Sequence, residues 1–139
     1  MGTSIRPEIS EKNEYWISKH RYYELKHFCL QYSEWKKELQ SLNELASSNL
    51  SVTKTSPNIQ KSDPTARFAE CELYYKNLME IVDDSAAETD KILGNYIFKA
   101  VTQGMSYDYL KTNYNVPCCK DTYYHMYRKF FWILSKKRQ

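Results

Sequence analysis

Residues 104–134 read GMSYDYLKTNYNVPCCKDTYYHMYRKFFWIL, and the folding of this stretch decides how the rest of the chain is read. Gly104 stands where a left-handed residue ends a helix. Ser106 can accept from the first amides of the next helix, and Asp108 suits its positive end. Tyr107 and Leu110 then face inward through about residue 113. Asn113 and Asn115 tolerate the left-handed conformation of a tight turn, and Pro117 disfavours helix at Val116, so the chain turns over Asn113-Tyr114-Asn115-Val116-Pro117. Val116 is placed to plug the corner. A last helix is predicted from Cys118 or Cys119 to Leu134, with Tyr123, Tyr127, Phe130 and Leu134 at helical spacing on its core side.

The core stripe defines what faces away from it. Lys120, Asp121, Tyr124, His125 and Arg128 occupy the first half of the last helix, the part that reaches base edges when such a helix enters a major groove. Arg128 and Lys129 suit guanine or phosphate, and Lys136, Lys137 and Arg138 trail off the end, where they would neutralise backbone phosphates without reading sequence. Phe131, Trp132 and Ile133 make the end of this helix apolar nearly all round, so that half is expected to pack on the N-terminal helices or a second subunit. A charged face on a C-terminal helix is also what ordinary solvation produces. The succession of helices over 86–103, 106–113 and 119–134, with a short middle member and a tight turn before the basic one, favours a helix-turn-helix.

Upstream, Trp16, Tyr22, Leu25, Cys29 and Tyr32 predict a helix over 13–32, and Trp35, Leu39, Leu42 and Ala46 a second over 34–46 with Ser33 as its N-cap. Residues 1–12 are polar and expected to fray. Residues 47–63 are rich in Ser, Thr and Asn without helical spacing and read as a polar linker, dividing a 1–46 segment from a helical region over 64–139. Asp63-Pro64 signals a helix start, and Phe68, Cys71, Tyr75, Leu78, Met79 and Val82 carry that helix to about residue 82. Asp83-Asp84 reads as loop. Ser85-Ala86-Ala87-Glu88 fits a capping box opening the helix 86–103, in which Ile92-Leu93, Tyr96-Ile97 and Ala100-Val101 recur four residues apart.

With 139 residues, 42% of them hydrophobic and only three glycines and four prolines, the chain is one domain's worth of all-α protein. No long apolar run and no signal-peptide order in Met1 to Ser10 appear, so a cytoplasmic protein without membrane partners is expected. The net charge of +3 hides an asymmetry: residues 63–90 hold eight acids against Arg67 and Lys76, and residues 120–139 hold six Lys and Arg against Asp121. Cys29, Cys71, Cys118 and Cys119 are poorly spaced for a disulfide framework and are expected as thiols. Cys118 and Cys119 with His125 lack zinc-site spacing, a nucleophilic Cys119 with His125 as base is outweighed by an ordinary cysteine at a helix start, and His20 and His27 are too far apart to share an ion. There is no glycine-rich phosphate loop. Neither enzyme activity, a metal nor a cofactor is expected.

Gly104-Met105-Ser106-Tyr107 through Leu110, Val116-Pro117, Tyr123-Tyr124 and Tyr127 through Leu134 resemble the C-terminal helix-turn-helix of small prophage regulators of the RinA/ArpU late-transcription-activator type, which in turn look like the promoter-reading domain of sigma factors. The resemblance covers roughly 86–138. His20 through Lys26 and Phe28 through Tyr32 look like a phage protein of Gram-positive bacteria whose role the resemblance does not reveal. It implies a phage-derived, non-enzymatic transcriptional regulator acting in a bacterial host, with double-stranded DNA as partner and RNA polymerase or another host protein beside it. The N-terminal helices are then expected to pack on the reading unit or to form a homo-oligomer. Two alternatives stand next to this: a small terminase subunit binding phage DNA, and an inhibitor of a host enzyme or nucleoprotein whose acidic 63–90 region mimics nucleic acid.

Overall fold

The computed structural model describes residues 12–51 and 64–139. They form an all-α protein with six helices: α1 (Lys19–Leu30), α2 (Tyr32–Ser51), α3 (Pro64–Thr89), α4 (Leu93–Gln103), α5 (Tyr107–Tyr114) and α6 (Lys120–Lys137). Two compact units result. One contains residues 12–32 and 81–139, the other residues 33–80, so the division falls inside α2 and inside α3.

In the first unit, α1 lays Tyr22, Leu25, Phe28 and Cys29 inward, and α6 answers with Tyr123, Phe130, Phe131 and Leu134. Between them α4 contributes Leu93, Ile97, Ala100 and Val101. Leu25, Ile97, Leu110, Phe130 and Leu134 have no accessible surface, which marks the centre of the core. Arg21 fastens α1 to the end of α6: its Nε donates to Ser135 Oγ at 3.0 Å and its guanidinium also donates to the Ser135 and Arg138 carbonyls. The Arg138 guanidinium lies 3.9 Å from the centre of the Phe28 ring.

Several boundaries differ from what the sequence predicts, each for a local reason. α1 begins at Lys19 and not at residue 13, because the Asn13 side chain accepts from the Tyr15 amide and its carbonyl from the Trp16 amide, closing a turn that a helix would undo. Trp16 therefore precedes the helix. The break between α1 and α2 falls at Gln31, and Ser33 lies within α2 instead of capping it. α2 also continues to Ser51, past the predicted end at Ala46. Pro64 opens α3, but Asp63 as its cap lies outside the described residues, as do residues 52–63 of the expected linker.

The largest difference is at the capping box. Ser85 is not a cap but a buried residue inside α3, donating to the Ile81 carbonyl at 2.7 Å, and Thr89 repeats the pattern on the Ser85 carbonyl. Asp83 and Asp84 are helical, not loop. The break comes at Asp90, whose carboxylate accepts from the Ile92 and Leu93 amides at 2.9 and 2.8 Å. There the backbones of α3 and α4 approach so closely that a Cβ on Gly94 would run into the Ala86 carbonyl oxygen, so only glycine fits.

The second unit is made of the remaining parts of α2 and α3. Trp35 is buried, and Leu39, Leu42, Phe68, Tyr75, Leu78 and Met79 are half-buried. No helix among the described residues is long and apolar enough to cross a membrane.

Candidate nucleic-acid interface

Short, well-capped joints hold α4, α5 and α6 together. Gly104 ends α4 in the left-handed region at φ 69°, returning its amide to the Ala100 carbonyl. Ser106 caps α5 by accepting from the Tyr109 amide at 3.1 Å. Asn115 ends α5 at φ 57°, and Val116 is fully buried beneath the turn. The two sides of the turn are then tied: the Tyr107 hydroxyl donates to the Cys118 carbonyl at 2.7 Å, and Lys111 Nζ to the Val116 carbonyl at 2.9 Å. Tyr107 also packs on Tyr123, ring centres 5.1 Å apart. The corner follows the sequence reading at Gly104, Ser106, Asn115 and Val116, whereas Asn113 stays helical inside α5, which runs on to Tyr114, and only Asn115 takes the left-handed conformation.

α6 therefore projects from a fixed frame, and what it projects divides into two stripes. Lys120, Tyr124 and Arg128 recur at one helical spacing with Asp121 beside them; His125, Lys129, Trp132 and Lys136 follow the next. On the first, Lys120 and Asp121 are exposed, and Tyr124 and Arg128 half-buried. Tyr124 is the outer edge of an aromatic wall that continues inward through Tyr123 and Tyr127 to Phe131 and Tyr22. Burial pushes the Tyr123 and Tyr127 hydroxyls up from the ordinary tyrosine range, so this wall keeps its protons well into the alkaline range.

The second stripe is partly covered by the chain's own N-terminal segment. Tyr15 sits with its ring centre 5.3 Å from His125 and 5.3 Å from Trp132, and Lys136 Nζ stands 4.1 Å over the other ring neighbour, Trp132. The sequence carries no signal for this contact, because Tyr15 lies outside the periodic pattern that flags helical faces. Further along, Lys137 is not trailing but inside α6, and its Nζ meets Glu88 Oε2 at 2.7 Å. Arg138 is held by Phe28 and Arg21.

Among the described residues, then, Lys120, Arg128 and Lys129 are cations of α6 without a carboxylate within ion-pair distance, whereas Lys136 is drawn over Trp132, and Lys137 and Arg138 have partners within the fold. The helix start adds Cys119, whose exposed thiol lies 3.4 Å from Thr122 Oγ1 and is lowered from its usual range chiefly by that hydrogen bond. Cys118 moves the other way through burial, and the Cys29 thiol, deep in the core, is pushed up by burial. No three His, Cys, Asp or Glu side chains among the described residues are grouped to hold a metal ion. No protein-family model, curated protein or solved structure matches the chain.

Proposed function

We propose that the unit formed by α4, α5 and α6 binds double-stranded DNA, with the first half of α6 in the major groove, and that the protein is a phage-derived transcriptional regulator. The observation that carries this reading is the set of unpaired cations Lys120, Arg128 and Lys129 on a helix locked in place by the Tyr107, Lys111 and Val116 corner. Lys120 and Lys129 are suited to phosphate, Arg128 to a bidentate hold on guanine or phosphate, and Asp121 to the amino group of cytosine. Tyr124 supplies an apolar edge between them. His125 contributes only where Tyr15 moves aside.

The acidic run of α3 gives less support to an inhibitor that mimics nucleic acid. Glu72 pairs with Lys76, Asp83 accepts from Tyr32, Glu88 pairs with Lys137, and Asp90 caps the next helix, so these carboxylates serve the chain's own fold.

Titrating a labelled duplex at rising salt tests the proposal. With about three phosphates neutralised, log affinity should fall against log salt with a slope of about −3. Joint Arg128→Glu and Lys129→Glu substitution should abolish binding, while Lys137→Gln should leave the slope unchanged. A protein that binds no duplex at low salt is not a DNA-binding regulator.

A further inference from the structure

Away from α6, the outer side of α4 carries a shallow cleft of about 420 Å³ lined by Lys91, Ile92, Asn95, Tyr96, Lys99 and Tyr114. Lys99 Nζ stands 5.1 Å over the Tyr114 ring. Neither Lys91 nor Lys99 has a carboxylate within ion-pair distance among the described residues. Ile92 is 64% exposed, Tyr114 in the same cleft is exposed, and so is Tyr109 beside Tyr114, an arrangement that leaves apolar surface in water around two lysines that have no carboxylate partner among the described residues.

The chain bears the complement of this surface elsewhere. On α3, Glu70, Leu73, Tyr74, Asn77 and Glu80 fall on one helical face, opposite the half-buried Phe68, Tyr75, Leu78 and Met79. Leu73 and Tyr74 are 60% and 59% exposed. They form an apolar centre at adjacent helical positions, with Glu70 one turn before and Glu80 nearly two turns after. Glu72, the carboxylate that is already paired, lies off this face. Most of the exposed large apolar side chains among the described residues thus belong to two surfaces of opposite charge: Ile92, Tyr109 and Tyr114 with lysines, Leu73 and Tyr74 with glutamates.

We propose that the α3 face of one copy docks in the α4 cleft of another, Leu73 and Tyr74 entering between Ile92, Tyr96 and Tyr114 while Glu70 and Glu80 meet Lys91 and Lys99. An amphipathic helix laid in a groove is a recurrent recognition mode. Because the two surfaces differ, reciprocal docking of two copies closes a dimer, and single contacts between successive copies extend into a ring or an open chain. The inference is independent of DNA binding.

The full chain is measured by sedimentation velocity over a wide range of protein concentration, free of DNA, with helicity followed by circular dichroism. The wild type should rise to at least twice the monomer mass and return towards it at high salt. A cleft variant, Lys91→Glu with Lys99→Glu, and a helix variant, Glu70→Lys with Glu80→Lys, should each remain monomeric. Mixing the two variants should restore association, because the acidic helix of the first then meets the basic cleft of the second and the reversed pair matches as well. A wild type that stays monomeric throughout overturns the proposal, as do variants that associate like the wild type or a mixture that stays monomeric while both partners keep wild-type helicity.

Discussion

Residues 93–137 and residues 33–80 are both helical, yet they treat their large side chains in opposite ways. In α6 alone Tyr123, Phe130, Phe131 and Leu134 are at most 1% exposed. In the second unit Trp35 is the one described side chain that is buried, and Leu45, Leu73 and Tyr74 are each more than half exposed. Propensity and periodicity favour helix in both places. What distinguishes them is packing, which supplies most helical stability in proteins. The C-terminal unit uses its aromatic rings to hold a charged face rigid, whereas the second unit keeps apolar surface available at its outside.

That contrast has energetic consequences. Phe130→Ala removes a ring from the centre of the core and should cost about 3–5 kcal/mol in urea unfolding. Leu73→Ala should change stability by no more than about 0.5 kcal/mol, since its side chain is already largely in water. Measured at high salt and low protein concentration, where the chain is a monomer, comparable losses at the two positions would show that Leu73 is packed within the monomer and that the two regions do not differ as described.

A second contrast appears at high pH. Tyr32 is pushed up to about 12, first by burial and then by its hydrogen bond to Asp83, and burial raises Tyr123 and Tyr127 as well. In an unfolded chain these hydroxyls ionise near pH ~10. The folded unit keeps its protons longer, so it binds more of them than the unfolded chain and its stability falls as pH rises. For Tyr32 the contribution is complete below about pH 10 and is lost as pH climbs through about 12, and Tyr123 and Tyr127 act in the same direction. Denaturation midpoints should therefore drop on the alkaline side, and Tyr127→Phe, which removes one of the titrating groups, should flatten the drop. A midpoint indifferent to pH in this range would mean that the aromatic wall is open to water.

Legibility in the sequence followed the same divide. Much of the corner from Gly104 to Cys119 is legible, because the signals there are local: a left-handed Gly104, a Ser106 cap, a left-handed Asn115, a proline and one apolar plug; the Tyr107 and Lys111 bonds that tie its two sides carry no such signal. The all-α class was equally plain. The aromatic inward face of α6 was legible from spacing, but the state of its outward face was not. Whether His125 and Lys137 are free depends on Tyr15 and Glu88, which lie far away in sequence and reach α6 only through the tertiary fold. The cleft beside Lys91 and Lys99 has no local signal for a related reason, since Tyr114 belongs to a different helix.

The junction of α3 and α4 is where two local signals compete, and it gives a smaller effect than the core with the clearest contrast. Ser85 and Glu88 have the spacing of a capping box, and Asp90 has only its own carboxylate. The serine is nevertheless inside the helix, buried and bonded back to Ile81, while the glutamate faces Lys137 and not the Ser85 amide. Burial explains why: Val82, Ser85, Ala86 and Thr89 form one inward stripe that continues the packing of α3 past the two aspartates. Asp90→Ala should thus cost about 1 kcal/mol by leaving the Ile92 and Leu93 amides without their acceptor. Asp90→Asn, which keeps an oxygen in place, should cost less. Ser85→Ala should be close to neutral, because the lost back-bond is offset by the better helix propensity of alanine. If Ser85→Ala proved the costlier of the two alanine changes, a helix would begin at residue 86 after all, and the close approach of Gly94 to Ala86 would need another origin.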